Sequence, residues 1–188
     1  MEYCNQNKKA GYEYLLAYKL SVPIYDLTVE FTELHISRFS RTKDQMDQAA
    51  RSGMQNTAEG NKQQSLAGYI KLTGVSRGSF EELLKDYLSF ARQKKIEIWN
   101  KEKANLEIGE IGEIWGIIKA TPTLPDQPNF PNLPQDLTKA VNLMITLINQ
   151  ENYLLDKLIS SLNEKHMREG GFNEGLYKKR VEYRKIHG

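Results

Sequence analysis

The chain is short of the residues on which most site chemistry rests. Its single cysteine, Cys4, excludes an internal disulfide and a thiolate metal cluster within one subunit, and a position near a terminus expected to fray argues against a nucleophile. Only three histidines occur, and the residues three before His35, His166 and His187 are Thr32, Asn163 and Arg184. A di-iron carboxylate centre in a helical bundle needs Glu-x-x-His pairs, so that chemistry is excluded. There is no Gly-x-Ser-x-Gly turn, no phosphate-cradling glycine loop and no Cys/His pairing. The adjacent acids Glu81 and Glu82 do not imply a shared-proton dyad, because consecutive helix residues do not face each other. No apolar run approaches the roughly 18 residues of a membrane span, and no apolar signal core opens the chain. Strand-like alternation and internal repeats are also missing. A cytoplasmic protein is expected, with no membrane association, catalytic residues, metal or cofactor.

What is present is helical periodicity over most of 188 residues, enough for one well-buried core, so residues 1–188 are read as a single domain. Leu20, Ile24, Leu27, Thr28, Phe31, Leu34 and His35 recur at helical spacing. They predict a first helix over about 20–37 with Pro23 in its first turn. A second apolar line on that helix, Val22, Tyr25, Val29 and Ile36, calls for a subunit contact or for cover by the chain's own extra segments. Thr42-Lys43-Asp44-Gln45 fits a capping box that would open a second helix. The core line of that helix is small: Met46, Ala49, Ala50, Gly53, Thr57 and Gly60, a seam that another backbone can approach closely. A third helix is predicted from Ser65 to Lys95, where Gly74 and Gly78 each cost about 1 kcal/mol relative to alanine and are expected to mark a further close approach. Residues 96–134 form an insertion with a short amphipathic helix around Ile108, Ile111, Trp115 and Ile118. Pro122, Pro125, Pro128, Pro131 and Pro134 then keep the chain extended or turning. A fourth long helix over 135–167 is stopped by Gly170-Gly171, and a terminal helix covers 172–186. The expected fold is all-α: an antiparallel four-helix bundle with a Pro-rich insertion before the last long helix and an extra C-terminal helix.

The helical wheel places Arg77 inside an apolar arc, where an unpaired charge is expensive. Two carboxylates are candidate partners, Glu59 beside the small-residue seam and Glu151 on the stripe of the fourth helix. Breaking a buried pair of this kind costs about 3–5 kcal/mol. Net charge is only +2 but unevenly spread: residues 61–103 carry nine Lys/Arg against five Asp/Glu, and residues 170–188 carry five against two. Lys178 and Lys185 flank one side of the terminal helix's apolar line, made by Phe172, Leu176, Tyr183 and Ile186, and Arg180 and Arg184 flank the other. That helix is expected to lie on an apolar surface with its charges in solvent. Arg92, Lys94 and Lys95 also suit a helix C-terminus. Trp99 and Trp115 are able to stack bases, but no run of aromatics interleaved with basic residues accompanies them, so nucleic-acid contact is expected mainly at phosphates.

Gln45-Met46, Ala49-Ala50-Arg51-Ser52, Asn56-Thr57-Ala58-Glu59-Gly60, Arg77-Gly78-Ser79 and Glu82-Leu83 together resemble the four-helix-bundle family that includes the 23S rRNA intervening-sequence proteins and the accessory variability determinants of diversity-generating retroelements. Leu143 to Asp156 and Glu169-Gly170-Gly171-Phe172 through Tyr177 are similar to the subgroup of four-helix-bundle suffix-domain proteins. Gly53, Thr57 and Ser76 depart from the family's usual residues while keeping small-residue packing. The resemblance implies a non-catalytic accessory protein, assembled as a homo-oligomer such as a pentamer, that binds RNA or DNA and partners a reverse transcriptase. Under it Asn56, Glu59, Gly60, Arg77, Gly78, Ser79, Glu82 and Glu151 shape the bundle, and Arg92, Lys94, Lys95, Lys178, Lys179, Arg180, Arg184 and Lys185 meet phosphates. The alternative is a homo-oligomeric protein-interaction scaffold without nucleic-acid binding.

Overall fold

The computed structural model describes residues 9–170 and 172–187, with the side chains of 172–175 and 178 left aside. Cys4 and Gly171 therefore lie outside the described residues, as do the side chains of Phe172 and Lys178. Every regular element among the described residues is helical. A 3-10 turn over Gly11–Tyr14 leads into α1 (Leu16–His35), followed by α2 (Arg41–Asn61), α3 (Leu66–Lys94), α4 (Lys101–Glu107), α5 (Gly109–Ala120), α6 (Leu137–Glu169) and α7 (Phe172–His187).

The starts of α2, α3, α4 and α6 follow side-chain capping, in which an oxygen accepts from a backbone N–H that has no partner within the helix. Ser65 accepts from the Gly68 amide at 3.1 Å, and Asp136 accepts from that of Lys139 at 2.8 Å. At α2 the expected box is displaced: Ser40, not Thr42, is the N-cap, and its hydroxyl accepts from the Thr42 amide. The helix ends follow backbone conformation. Lys95 closes α3 with φ 57°, and Gly170 closes α6 with φ 79°. Helix α1 begins at Leu16, earlier than expected, so Pro23 lies inside it and not in its first turn.

α1 packs on α2 and α6, and α3 packs on the same two helices. Leu20, Ile24, Leu27 and Phe31 of α1 meet Phe80, Leu83 and Tyr87 of α3 and Leu143, Met144, Leu147, Ile148 and Leu155 of α6 in one buried cluster. Phe31 lies 4.8 Å from Tyr87 and 5.0 Å from Phe90 between ring centroids, a separation favoured by tilted aromatic pairs. The small line on α2 is buried as expected. A Cβ added at Gly53 would sit 2.6 Å from the Phe80 ring, and one at Gly60 would sit 3.1 Å from Tyr69. These two glycines mark a true close approach. Gly74 and Gly78 do not: both are exposed, and a Cβ at either meets nothing within 4 Å. The wheel put them on one face, but that face looks to solvent.

The insertion is fastened by side chains that bond to its backbone. Asn142 accepts from the Trp99 amide at 2.7 Å and donates to the Glu97 carbonyl at 2.9 Å. The buried ammonium of Lys19 donates to the carbonyls of Ile118 and Thr121, and Glu30 accepts from the Leu133 amide at 3.1 Å. The second apolar line of α1 is half-buried within this one chain. Tyr25 and Ile36 pack on the core, and Val22 borders a cavity shared with Leu124, Pro125 and Pro128. Val29 is half-buried beside Glu30.

The glycines predict opposite responses. Gly53→Ala is expected to lower the melting temperature, because the methyl group enters the Phe80 ring and overpacking costs about 1–3 kcal/mol. Gly74→Ala and Gly78→Ala are each expected to raise it, by up to about 1 kcal/mol in stability, because a helical alanine replaces a flexible residue in open space. Thermal melts of the three single variants check this.

Candidate functional site

The motif residues of α2 and α3 meet as a polar seam. The Asn56 amide donates to the Ser52 hydroxyl at 3.1 Å, the Ser52 and Ser79 hydroxyls share a 3.0 Å hydrogen bond, and Ser79 donates to the Val75 carbonyl at 3.1 Å. With Ser52 donating to Ser79, every hydroxyl proton in this chain of bonds is used. One turn further on, Thr57 and Ser76 lie 2.8 Å apart, and both reach the Gly53 carbonyl. Whichever hydroxyl donates to that carbonyl accepts the proton of the other. Pairing of 52 with 79, 57 with 76 and 60 with 69 has numbers rising on α2 as they fall on α3. Beside the seam opens a groove of about 750 Å³ lined by Arg41, Asp44, Gln45, Gln48, Ser52, Ser79, Glu82 and Asp86. Glu82 is exposed there. Burial, with the Glu82 charge adding to it, holds the Asp86 carboxyl above its ordinary value.

Arg77 corrects the sequence expectation. Its side chain is 28% exposed, and it pairs with Glu81 one turn away and with Asp156 of α6, at 2.9 and 3.1 Å. Neither Glu59 nor Glu151 is its partner. Glu59 is exposed, and Glu151 is 0% exposed, with no hydrogen-bond partner for either carboxyl oxygen among the described residues. The long guanidinium stem lets Arg77 lie over the α3–α6 seam while its head reaches the rim. Because both partners are partly solvated, removing Arg77 is expected to cost nearer 0–1 kcal/mol. Arg77→Ala measured by denaturant melt checks this, a loss of several kcal/mol contradicting it.

The cationic candidates lie at the end of α3 and on α7. Arg92 and Lys94 are exposed in the last turn of α3, and Lys95 is exposed at its cap. Lys179, Arg180, Arg184 and Lys185 are exposed on α7. None of these seven side chains forms an ion pair among the described residues. The apolar line of α7 is not laid on an apolar surface as expected: Leu176, Tyr183 and Ile186 are 37%, 64% and 70% exposed. Among the described residues no group of three or more His, Cys, Asp or Glu side chains converges as a metal ligand set. His35 packs at a tilt against Phe31, 5.0 Å between ring centroids, and burial lowers its pKa.

A second cavity, of about 670 Å³, was missed by sequence reasoning. The insertion makes it against α6, with Trp99, Lys101, Trp115, Ile145, Thr146, Asn149, Gln150, Tyr153 and Leu154 as its lining. The Trp115 indole N–H donates to the Gln150 side-chain carbonyl at 2.7 Å. Lysine ammonium groups stand over the rings: Lys103 over Trp99 at 4.7 Å, Lys119 over Trp115 at 5.3 Å and Lys157 over Tyr153 at 5.5 Å. A signal was present, since each lysine follows its aromatic by four residues. No basic run in the sequence joins these pairs; only the fold does.

Comparison with family models, curated proteins and solved structures yields no match to this chain.

Glu151 supplies a pH prediction. Burial raises its carboxyl well above the ordinary value, so the folded state keeps a proton that the unfolded chain releases above about pH 4.3. The folded protein then binds more protons than the unfolded one, and stability falls as pH rises from there toward the raised folded value, by about 1.4 kcal/mol per pH unit. Glu151→Gln is expected to remove this slope, and Glu151→Leu to raise stability across it. Urea melts from pH 5 to 8 check both; parallel slopes for wild type and Glu151→Gln would contradict a buried neutral acid.

Proposed function

We propose that the chain is a non-catalytic accessory protein in which α1, α2, α3 and α6 form an antiparallel four-helix bundle, and that it self-associates and binds RNA or DNA through phosphate contacts. The observation that carries this reading is α7. It has an uncovered apolar line formed by Leu176, Tyr183 and Ile186, and it carries Lys179, Arg180, Arg184 and Lys185, exposed and without ion-pair partners among the described residues. A 16-residue helix of this kind gains little stability on its own in water. Docking its apolar line on another subunit would stabilise it and leave its cations facing solvent. The reversed numbering across the α2–α3 seam and the packing of each long helix on two others support the bundle. The family resemblance adds a pentamer as the expected assembly and a retroelement reverse transcriptase as the expected protein partner.

The same exposed apolar line favours a second reading, a homo-oligomeric protein-interaction scaffold with no nucleic-acid role. Salt dependence separates the two. Binding to single-stranded RNA and DNA is expected to weaken with salt, with a log–log slope of about 0.7 per phosphate contact, and to lose slope when Lys179, Arg180, Arg184 and Lys185 are all changed to alanine. A gel-shift series from low to physiological salt measures this. No binding at low salt would leave the scaffold reading. Light scattering is expected to give five times the 21.7 kDa chain mass, and the chain mass alone would contradict self-association.

A further inference from the structure

The cavity between the insertion and α6 is not used by the phosphate contacts on α7, and its chemistry is distinct. Its walls include two indoles and a phenol from three separate parts of the chain. Its volume of about 670 Å³ falls in the range that takes a ligand of several hundred daltons. No carboxylate lines it, whereas Lys101 does, and Lys119 and Lys157 stand at its ring faces. Lys101, Lys119 and Lys157 form no ion pair among the described residues, while Lys103 is shared with Glu97 at 3.0 Å. The lining thus suits a flat, π-rich body joined to negative charge.

Two amides give the cavity a polar edge. The Asn149 amide nitrogen donates to the Ile145 carbonyl at 2.8 Å, which leaves its side-chain oxygen as an uncommitted acceptor. Gln150 uses its oxygen to hold Trp115, which leaves its amide nitrogen as an uncommitted donor. Both side chains line the cavity, so it offers an acceptor and a donor at separate points of its wall beside the aromatic faces. The Trp115–Gln150 bond also fixes the ring in advance, so little ordering is left for binding to supply.

We propose that this cavity takes one unpaired base of a single-stranded nucleic acid, stacked on the aromatic walls, with the flanking phosphates on Lys101, Lys119 and Lys157. The proposal rests on the nucleic-acid reading above and adds to it a preference for unpaired strands. A duplex has its bases stacked inside and cannot present one to the walls without unpairing.

Trp99 and Trp115 are the only tryptophans of the chain, so its intrinsic fluorescence reports on this cavity. The full chain is titrated with end-labelled single strands of about ten nucleotides, with the matched duplex and with adenosine monophosphate. Label anisotropy and tryptophan emission are followed together. The expected result is saturable quenching that tracks the anisotropy rise for single strands and is absent for duplex. Tyr153→Ala and Lys157→Glu, both at exposed positions of α6, are expected to weaken single-strand binding roughly tenfold or more, with helical circular dichroism unchanged. Strands that bind without quenching, and with equal affinity for the Tyr153→Ala variant, would overturn the cavity and leave the phosphate reading standing. No anisotropy rise for any strand would overturn both. Equal quenching by duplex, or quenching by the free nucleotide alone, would overturn the assignment of a single strand as occupant.

Discussion

The close approach of α2 to α3 is the constraint from which most of the remaining geometry follows. Gly53 has no side chain where the Phe80 ring lies, and the buried Ala49, Ala50 and Thr57 keep the same line thin. Dispersion falls away steeply with separation, so a seam this tight draws on contacts that larger residues would forfeit. It also brings hydroxyls within 3.0 Å across the interface. Those hydroxyls contribute little net energy each, but they penalise slippage, since a shifted register would leave several polar groups buried and unpaired. With α3 so placed, Tyr87 and Phe90 reach Phe31 of α1, and Arg77 reaches Asp156 of α6. One seam therefore orients three helices.

The insertion is held by a different economy. It has two short helices and a proline-rich stretch that lacks regular backbone pairing, so its orphan backbone groups need partners from elsewhere. Three side chains supply them: Asn142 at its start, Lys19 at the end of α5 and Glu30 near Leu133. Burial lowers the Lys19 pKa, and two carbonyl acceptors offset part of the cost of keeping an ammonium there. Asn142 also fixes where Trp99 leaves α3 for α4. The same clamp that ties down a loop thus sets one wall of the aromatic cavity.

Much of the helical layout was legible because apolar spacing, capping residues and glycine stops are local signals. The starts at Ser65 and Asp136 and the stop at Gly170 follow from the chemistry of single residues, whereas Lys95 closes α3 in a left-handed conformation that its side chain does not favour. The small line on α2 announced its seam in the same way. What misled was the use of one wheel to assign burial along a long helix. Arg77, Gly74 and Gly78 share an arc with core residues, yet among the described residues α3 packs chiefly on α2 and α6, with α1 reached through its Tyr87 end. The edge of the arc is rim, and there a glycine meets open space and an arginine meets solvent-exposed acids. Glu151 was legible as buried but not as unpaired, since pairing depends on what the facing helices place opposite it.

The aromatic cavity was illegible for a further reason, which also bears on what it signifies. A lysine four residues after an aromatic is common on helices, and its stem covering a ring while its ammonium reaches water explains any one pair. Phe90 and Lys94 form such a pair, at 5.9 Å, with Phe90 packed on the core. Three further pairs lie at sequence distances that no local pattern links, yet the fold gathers all three rings around one opening. Trp99 and Trp115 also pack on the core, so the convergence that fastens the insertion to α6 forms the opening as well. With a net charge of only +2, the chain as a whole steers an anion weakly. For a ligand of the proposed kind, selectivity would then rest on short-range features such as ring faces, uncommitted amides and unpaired ammonium groups around one opening.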